Sequence, residues 1–337
     1  MNASAACKLV HVSQPPVMNF RGKFNSRDVL SYNRKVVFVM GATGTGKSRL
    51  AIDLAIQHPA EVINSDKMQV YKGLDIITNK VTHEETQGVP HHLMDFVDPD
   101  SDYTASDFCY HTCKAVNLIH SHGRIPIVAG GSNSFLDALV NHNHINGKFQ
   151  RKYRCCFLWV DVALSVLESS VSKRVDRMVR AGLEDEARDM YDPRAHDYSK
   201  GIRRAIGVSE LDQYFQAEAA GADGQTLARL LESGIAKIKE NTQLLASRQL
   251  QKIHGLYSKW GSQCVHRIDA TEVFLQRGKV ESDEAWERLV LEPSAMIVDQ
   301  FLFEEKQPVG IPMTPSAAIP SVLPARVPMA AVSGATH

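Results

Sequence analysis

Short, mainly apolar runs punctuate the chain, and longer stretches of helical period lie between them. Val36–Met40, Ala60–Ser65, Ile125–Ala129 and Cys155–Val160 are each of strand length. None shows a sustained polar alternation, which is the pattern of strands covered on both faces of a parallel sheet. Arg49–Gln57 places Leu50, Ile52, Leu54, Ala55 and Ile56 mostly inward. A helix is predicted from Tyr103–Phe108 to about His122, with Thr104 as cap, Asp107 as the acidic member of a capping box and Gly123 as stop. Ala163–Arg180 carries Leu164, Leu167, Val171, Val175 and Met178 at helical spacing, and an acidic helix follows Gly182 to about Met190. Gln225–Trp260 reads as one long helix after the Gly221–Gly224 linker. Val265–Ala270 is a late strand, and Ser282–Phe303 a final helix interrupted at Pro293. Lys72–Gln87 and 142–153 are polar and read as irregular.

Strands alternating with helices give an α/β fold with a parallel sheet flanked by helices. Along the chain the pattern predicts a basic leader (1–34), a core (35–162), a helical insert subdomain (163–261), a return to the core with a C-terminal helix (262–304) and a disordered tail rich in Pro, Ala and Ser (305–337).

The first strand feeds Gly41-Ala42-Thr43-Gly44-Thr45-Gly46-Lys47-Ser48, a full match to the phosphate-binding P-loop pattern. This makes the sheet P-loop NTPase-like. Glycines let backbone N–H groups turn toward an anion, and the helix N-terminus adds partial positive charge. Lys47 can reach outer phosphates, and the Ser48 hydroxyl can ligate Mg²⁺. The second strand ends at Asp66, where open α/β sheets place their ligands. Asp66 can hold Mg²⁺ through water, act as a general base, or cap a helix. Gly130-Gly131-Ser132-Asn133-Ser134 is a second strand-to-helix turn able to face an anion. Arg203 and Arg204 can clamp a phosphate. Arg174, Arg177 and Arg180 share a helix face that is either functional or merely solvated, and Lys237, Lys239, Arg248 and Lys252 make a basic side of the long helix, for which a solvated face is the simplest account. Val160-Asp161 is a candidate Walker B end. His91 and His92 lack metal-protease spacing and read as loop residues.

Composition narrows little. The 337 residues carry 38 basic and 38 acidic side chains, so overall charge makes no case for nucleic acid. No apolar run reaches membrane-spanning length. Six cysteines form no zinc or disulfide framework and read as structural thiols. Three classes remain: phosphoryl transfer to a small molecule, a nucleotide switch or binding ATPase, and transfer of another group with diphosphate leaving from the P-loop. Residue chemistry alone ranks a kinase first.

Five stretches together resemble the isopentenyltransferase family, which includes tRNA dimethylallyltransferases and the plant adenylate isopentenyltransferases of cytokinin synthesis. They are Gly41–Ser48, Asn64–Asp75, Pro90–Leu93, Ala129–Ser132 and Arg203–Gly207. The resemblance implies transfer of a dimethylallyl group from its diphosphate to N6 of adenine, with Mg²⁺. It implies Asp66 as general base, with Lys47, Ser48, Ser132 and Arg204 holding the diphosphate. Two departures favour the plant type acting on AMP, ADP or ATP. Ile76–Lys80 replaces the Gly-Thr-Ala-Lys of tRNA-modifying members, and Ser247-Arg248-Gln249 survives without the rest of their tRNA-contacting run. Cys264, the last cysteine, leaves no zinc-finger-like segment. A tRNA dimethylallyltransferase is the alternative, with tRNA disfavoured as partner, and a non-catalytic nucleotide-binding regulator is another. A monomer is expected. Within the first 35 residues stand Lys8, Arg21, Lys23, Arg27, Arg34 and Lys35 against Asp28 alone, which fits a plastid transit segment, or else a cytoplasmic leader.

Overall fold

The strand β1 (Lys35–Met40) is buried along its whole length because it lies between two neighbours at the middle of the sheet. The computed structural model describes residues 34–141, 148–194, 197–261, 265–276 and 281–303. The predicted tail (305–337) and the leader up to residue 33 lie outside the described residues. The six strands run in the order β3-β2-β4-β1-β5-β6 and all pair in parallel. They are β1, β2 (Ala60–Asn64), β3 (His91–His92), β4 (Ile125–Gly130), β5 (Arg154–Asp161) and β6 (Val265–Asp269). Val37 sits in register with Ile127 on one side and Cys156 on the other.

The two faces of β1 feed two cores. Val36, Phe38 and Met40 join one apolar cluster, Val37 and Val39 the other, as the period of two along a strand requires. Phe38 stacks on Phe157 of β5 with ring centres 4.6 Å apart. Helix α1 (Lys47–Gln57) follows the P-loop, α2 (Ala105–Ser121) precedes β4, and α3 (Asn133–Asn141) follows it. The α2 capping box forms as read: Asp107 N–H donates to Thr104 Oγ1 at 3.2 Å, and Thr104 N–H to Asp107 Oδ2 at 2.9 Å. After β5 come α5 (Leu164–Arg180), α6 (Leu183–Asp189), two 3₁₀ turns (Gly201–Arg204 and Ser209–Leu211), α7 (Asp212–Ala219) and α8 (Gly224–Trp260). Helix α8 has 37 residues, capped by Asp223, and is about 55 Å long. The chain returns through β6, α9 (Thr271–Leu275) and α10 (Glu281–Trp286) to a π turn at Glu287–Leu291 and α11 (Glu292–Phe303). Pro293 stands at the second position of α11, directly after the π turn, whose widened winding accommodates a residue that cannot donate a backbone N–H.

Several expectations are corrected. His91 and His92 form a short edge strand on β2, fixed by Val62 N–H donating to Pro90 O at 2.9 Å. Within the stretch read as loop, residues 142–147 lie outside the described residues and Lys148–Lys152 is a short helix, α4. Pro126, the second residue of β4, is tolerated because the β1 ladder begins one residue later, at Ile127. Asp161 is no Walker B ligand in this geometry: its carboxylate accepts from Arg267 Nε at 2.8 Å and faces away from the cavity described next. Among the described residues the cysteines at 109, 113, 155 and 156 form no disulfide.

Candidate active site

All parallel strands end on the same side, so the P-loop, Asp66 and the Gly130–Ser134 turn meet at one sheet edge. They line a cavity of about 570 Å³. Gly44 (φ +84°) and Gly46 (φ +91°) turn the P-loop backbone as only glycine does without strain. Among the described residues, the N–H groups of Gly44, Gly46, Lys47 and Ser48 have no protein acceptor. Four free donors at a helix N-terminus are an anion cradle. Gly41, Ala42 and Thr45, also predicted to bind, stand behind the cradle and do not line the cavity. Thr45 Oγ1 instead donates to Ala42 O at 3.0 Å, bracing the loop.

Lys47 is 8% exposed and its Nζ donates to Ala42 O at 2.6 Å. Burial pulls its ammonium down to about 8; Arg174 acts the same way and Asp66 opposes both. Arg174 is half-buried, donates through Nη2 to Thr43 Oγ1 at 2.9 Å, and leaves its buried Nε without a partner among the described residues. Desolvation lowers it to about 10, still cationic at neutral pH, with Asp66 opposing. An unpaired buried guanidinium N–H beside a free N–H cradle points to a missing anion.

Asp66 commits one oxygen to the fold: Oδ1 accepts from Met68 N–H at 3.0 Å. Its own N–H donates to Asn64 Oδ1 at 2.9 Å. Oδ2 has no donor among the described residues and faces Gly131, where a Cβ would lie 3.7 Å away. Ser132 Oγ accepts from Lys67 N–H at 2.8 Å, tying the second turn to the Asp66 strand end. Gly130 is required here, because a Cβ would come within 2.4 Å of Ser65 C. Arg204 donates to Gly201 O at 3.1 Å and to the Tyr71 hydroxyl at 2.9 Å. The cavity also takes in Arg49, Lys67, Arg177 and Lys252, against two carboxylates, Asp66 and Glu85. Val62, Met68, Ile77, Met94, Met178 and Ile206 supply apolar wall.

The donor set suits magnesium. The exposed Ser48 hydroxyl has no protein partner among the described residues, and Asp66 Oδ2 is free. No group of three or more His, Cys, Asp or Glu there could hold a metal by itself. Mg²⁺ commonly takes one or two protein oxygens and completes its shell with water and substrate phosphate.

A family model described as IPP transferase matches residues 69–148 and 141–254. An adenylate isopentenyltransferase of Arabidopsis thaliana, named chloroplastic, is 58% identical over 87% of this chain and 88% of its own length. The chain belongs to the isopentenyltransferase family. A second Arabidopsis thaliana adenylate isopentenyltransferase, named mitochondrial, is 51% identical over 87% of this chain and 88% of its own. Among solved structures, a eukaryotic dimethylallyltransferase acting on tRNA superposes with a TM-score of 0.64 at 24% identity, covering 80% of this chain and 79% of that one. That likeness carries the fold: a P-loop NTPase-like parallel sheet flanked by helices. With the family in hand, the kinase ranking gives way to an isopentenyltransferase.

Sequence reading brought Lys47, Ser48, Asp66, Ser132 and Arg204 to this cavity, and the fold gathers all five. It passed over Arg174, Lys67, Lys252 and Gln249, which also line it. The helical period leaves Arg174 open between a functional and a solvated face and puts Lys252 on a solvated one. Periodicity says which face of a helix is charged but not which neighbour that face meets.

Proposed function

We propose that this isopentenyltransferase moves the dimethylallyl group from dimethylallyl diphosphate to N6 of the adenine of AMP, ADP or ATP, the first step of cytokinin biosynthesis. One observation carries the reading: Asp66, with its Oδ2 free, lines the same cavity as four unpaired N–H groups flanked by Lys47 and Arg174. A base and an anion site, side by side, are what displacement of diphosphate by a neutral amine needs. The relatives' names support the acceptor class.

In this reading the N6 lone pair attacks C1 of the dimethylallyl group. The N6–C1 bond forms as the C1–O bond breaks, and the electron pair leaves with diphosphate. Asp66 Oδ2 orients the amine and takes its proton, from a hydrogen bond of about 2.6–3.2 Å. The P-loop N–H groups, Lys47, Arg174 and Arg204 meet the charge that develops on the leaving oxygen. Ser48 would hold Mg²⁺, which would neutralise diphosphate charge. The apolar wall around Met68, Ile77 and Met178 keeps water from the prenyl carbon.

Purified protein is assayed with dimethylallyl diphosphate and AMP, ADP or ATP, in parallel with unmodified tRNA, and products are read by mass. Prenylated free nucleotide is expected. Prenylation of tRNA alone, phosphoryl transfer, or no product would each overturn the reading. We read the protein as a working monomer, and light scattering checks it. Residues 1–34 we read as a plastid leader, in line with the chloroplastic name of one relative although the other is named mitochondrial. A fluorescent fusion of that segment staying in the cytoplasm would refute it.

A further inference from the structure

Gln249 lies two-thirds of the way along α8 and reaches into the site. Its Oε1 accepts from Thr43 N–H of the P-loop at 2.7 Å, and its Nε2 donates to Gly131 O of the second turn at 2.9 Å. Its own carbonyl accepts from Asn133 Nδ2 at 3.0 Å. One side-chain amide therefore joins the two glycine turns: it satisfies Thr43 N–H and gives Gly131 O, which also accepts from Asn133 N–H at 3.0 Å, a second donor. Gly131 is shaped around it: a Cβ there would fall 2.8 Å from Gln249 Nε2.

The same helix holds the other anion-facing pieces. Asn241, two turns earlier, donates to Glu210 Oε1 at 2.8 Å, and Glu210 Oε2 accepts from Gly207 N–H at 2.8 Å. That fixes the turn carrying Arg204. Lys239 pairs with Asp176 at 2.6 Å, and Gln243 donates to Ser172 Oγ at 2.8 Å. Those contacts fix α5, which carries Arg174. Asn241 and Gln249 lie eight residues apart, about 12 Å along a rigid helix.

We propose that Gln249 is a positioning residue for prenyl transfer: with α8 as the ruler, it sets the distance between the loop that grips the leaving diphosphate and the turn beside Asp66. This rests on the transferase reading above. Thr43 N–H is spent on Gln249, whereas the four cradle N–H groups stay free, so Gln249 sets where diphosphate sits and not how tightly it is held. It also gives the surviving Ser247-Arg248-Gln249 an inward role that needs no tRNA.

The test compares wild type with Gln249→Met, which keeps length and bulk but loses both hydrogen bonds, and Gln249→Glu, which keeps the acceptor toward Thr43. Steady-state kinetics are run with dimethylallyl diphosphate and AMP, and inorganic diphosphate binding is measured by calorimetry. Misplacement of reacting groups costs rate steeply, so kcat of Gln249→Met should fall by about 10- to 100-fold. Diphosphate affinity and KM for the donor should stay within a few-fold, and Gln249→Glu should recover part of kcat. Gly131→Ala supplies a second route, because its methyl displaces the Gln249 amide. The Gly131→Ala/Gln249→Met double variant should then be little worse than either single one. Unchanged kcat, a loss wholly in diphosphate affinity, or multiplying defects in the double variant would each overturn the proposal. Wild type that makes no prenylated product would instead overturn the parent reading.

Discussion

Lys47 titrates within reach of ordinary buffers, and this makes the cradle sensitive to pH. Its ammonium is held near 8 by burial, helped by Arg174 and opposed by Asp66. In the unliganded protein about 90% of Lys47 is charged at pH 7, about half at pH 8 and about 10% at pH 9. The last ionisation of a phosphate ester lies near 6, so dimethylallyl diphosphate keeps its charge across this range. Bound diphosphate favours the ammonium, and binding must take up the missing proton: roughly 0.5 at pH 8 and roughly 0.9 at pH 9. Affinity should be flat below pH 7 and fall by about tenfold per unit above pH 8. Calorimetry with dimethylallyl diphosphate and no acceptor, in buffers of different ionisation enthalpy, counts the protons directly. Lys47→Arg, charged throughout, should flatten the profile. Equal affinity at pH 7 and 9 without proton uptake, or an unchanged slope in Lys47→Arg, would refute the reasoning. Fold stability runs the other way. Between about 8 and the unfolded value of 10.5 the unfolded chain binds more protons, so the empty fold gains stability as pH rises.

Three further outcomes are expected. Asp66→Asn keeps the acceptor for Met68 N–H but loses the base, so kcat should drop by about 10²–10⁴ with donor affinity nearly unchanged; turnover near wild type would remove Asp66 from the mechanism. Gly46→Ala places a methyl 2.7 Å from the Trp286 ring at a φ of +91°, and left-handed strain plus overpacking should cost about 2–5 kcal/mol in urea unfolding. An unchanged midpoint would show that the ring moves aside freely. Glu61 is buried, which raises its carboxyl, but hydrogen bonds from His92 and His122, with the charges of His92 and Arg124, outweigh burial and hold it below the usual range. A lowered carboxylate stabilises above its unfolded value and loses that contribution as pH falls through the folded one. Glu61→Gln should therefore be less stable at pH 7, with the gap closing below about pH 4. A gap independent of pH would refute this.

What the sequence made legible follows from how local each signal is. The P-loop with its strand and helix, the α2 capping box and the whole of α8 rest on neighbouring residues, and they were read from neighbouring residues. The edge strand His91–His92 was invisible because two residues have no period; pairing with β2 makes it a strand. Arg174 and Gln249 were seen but not placed. Each acts on Thr43, 131 and 206 residues away, and only the packing of α5 and α8 over the sheet edge brings them there. Asp161 failed the opposite way: its position after β5 suited a metal ligand, but Arg267 on the adjacent strand claims it.

Trp286 lies under the glycine before Lys47, with its ring buried and its Nε1–H donating to Asp53 Oδ2 at 2.8 Å. Arg49 caps the ring from above at 4.7 Å. The floor of the first pocket the chain spells out is thus laid by one of the last helices to be synthesised. A nascent chain can assemble its central sheet strand by strand while the loop that grips substrate still lacks its support. Competence to bind waits until residue 286 has been made, and a product truncated before it would leave Gly46 and Asp53 without that cover.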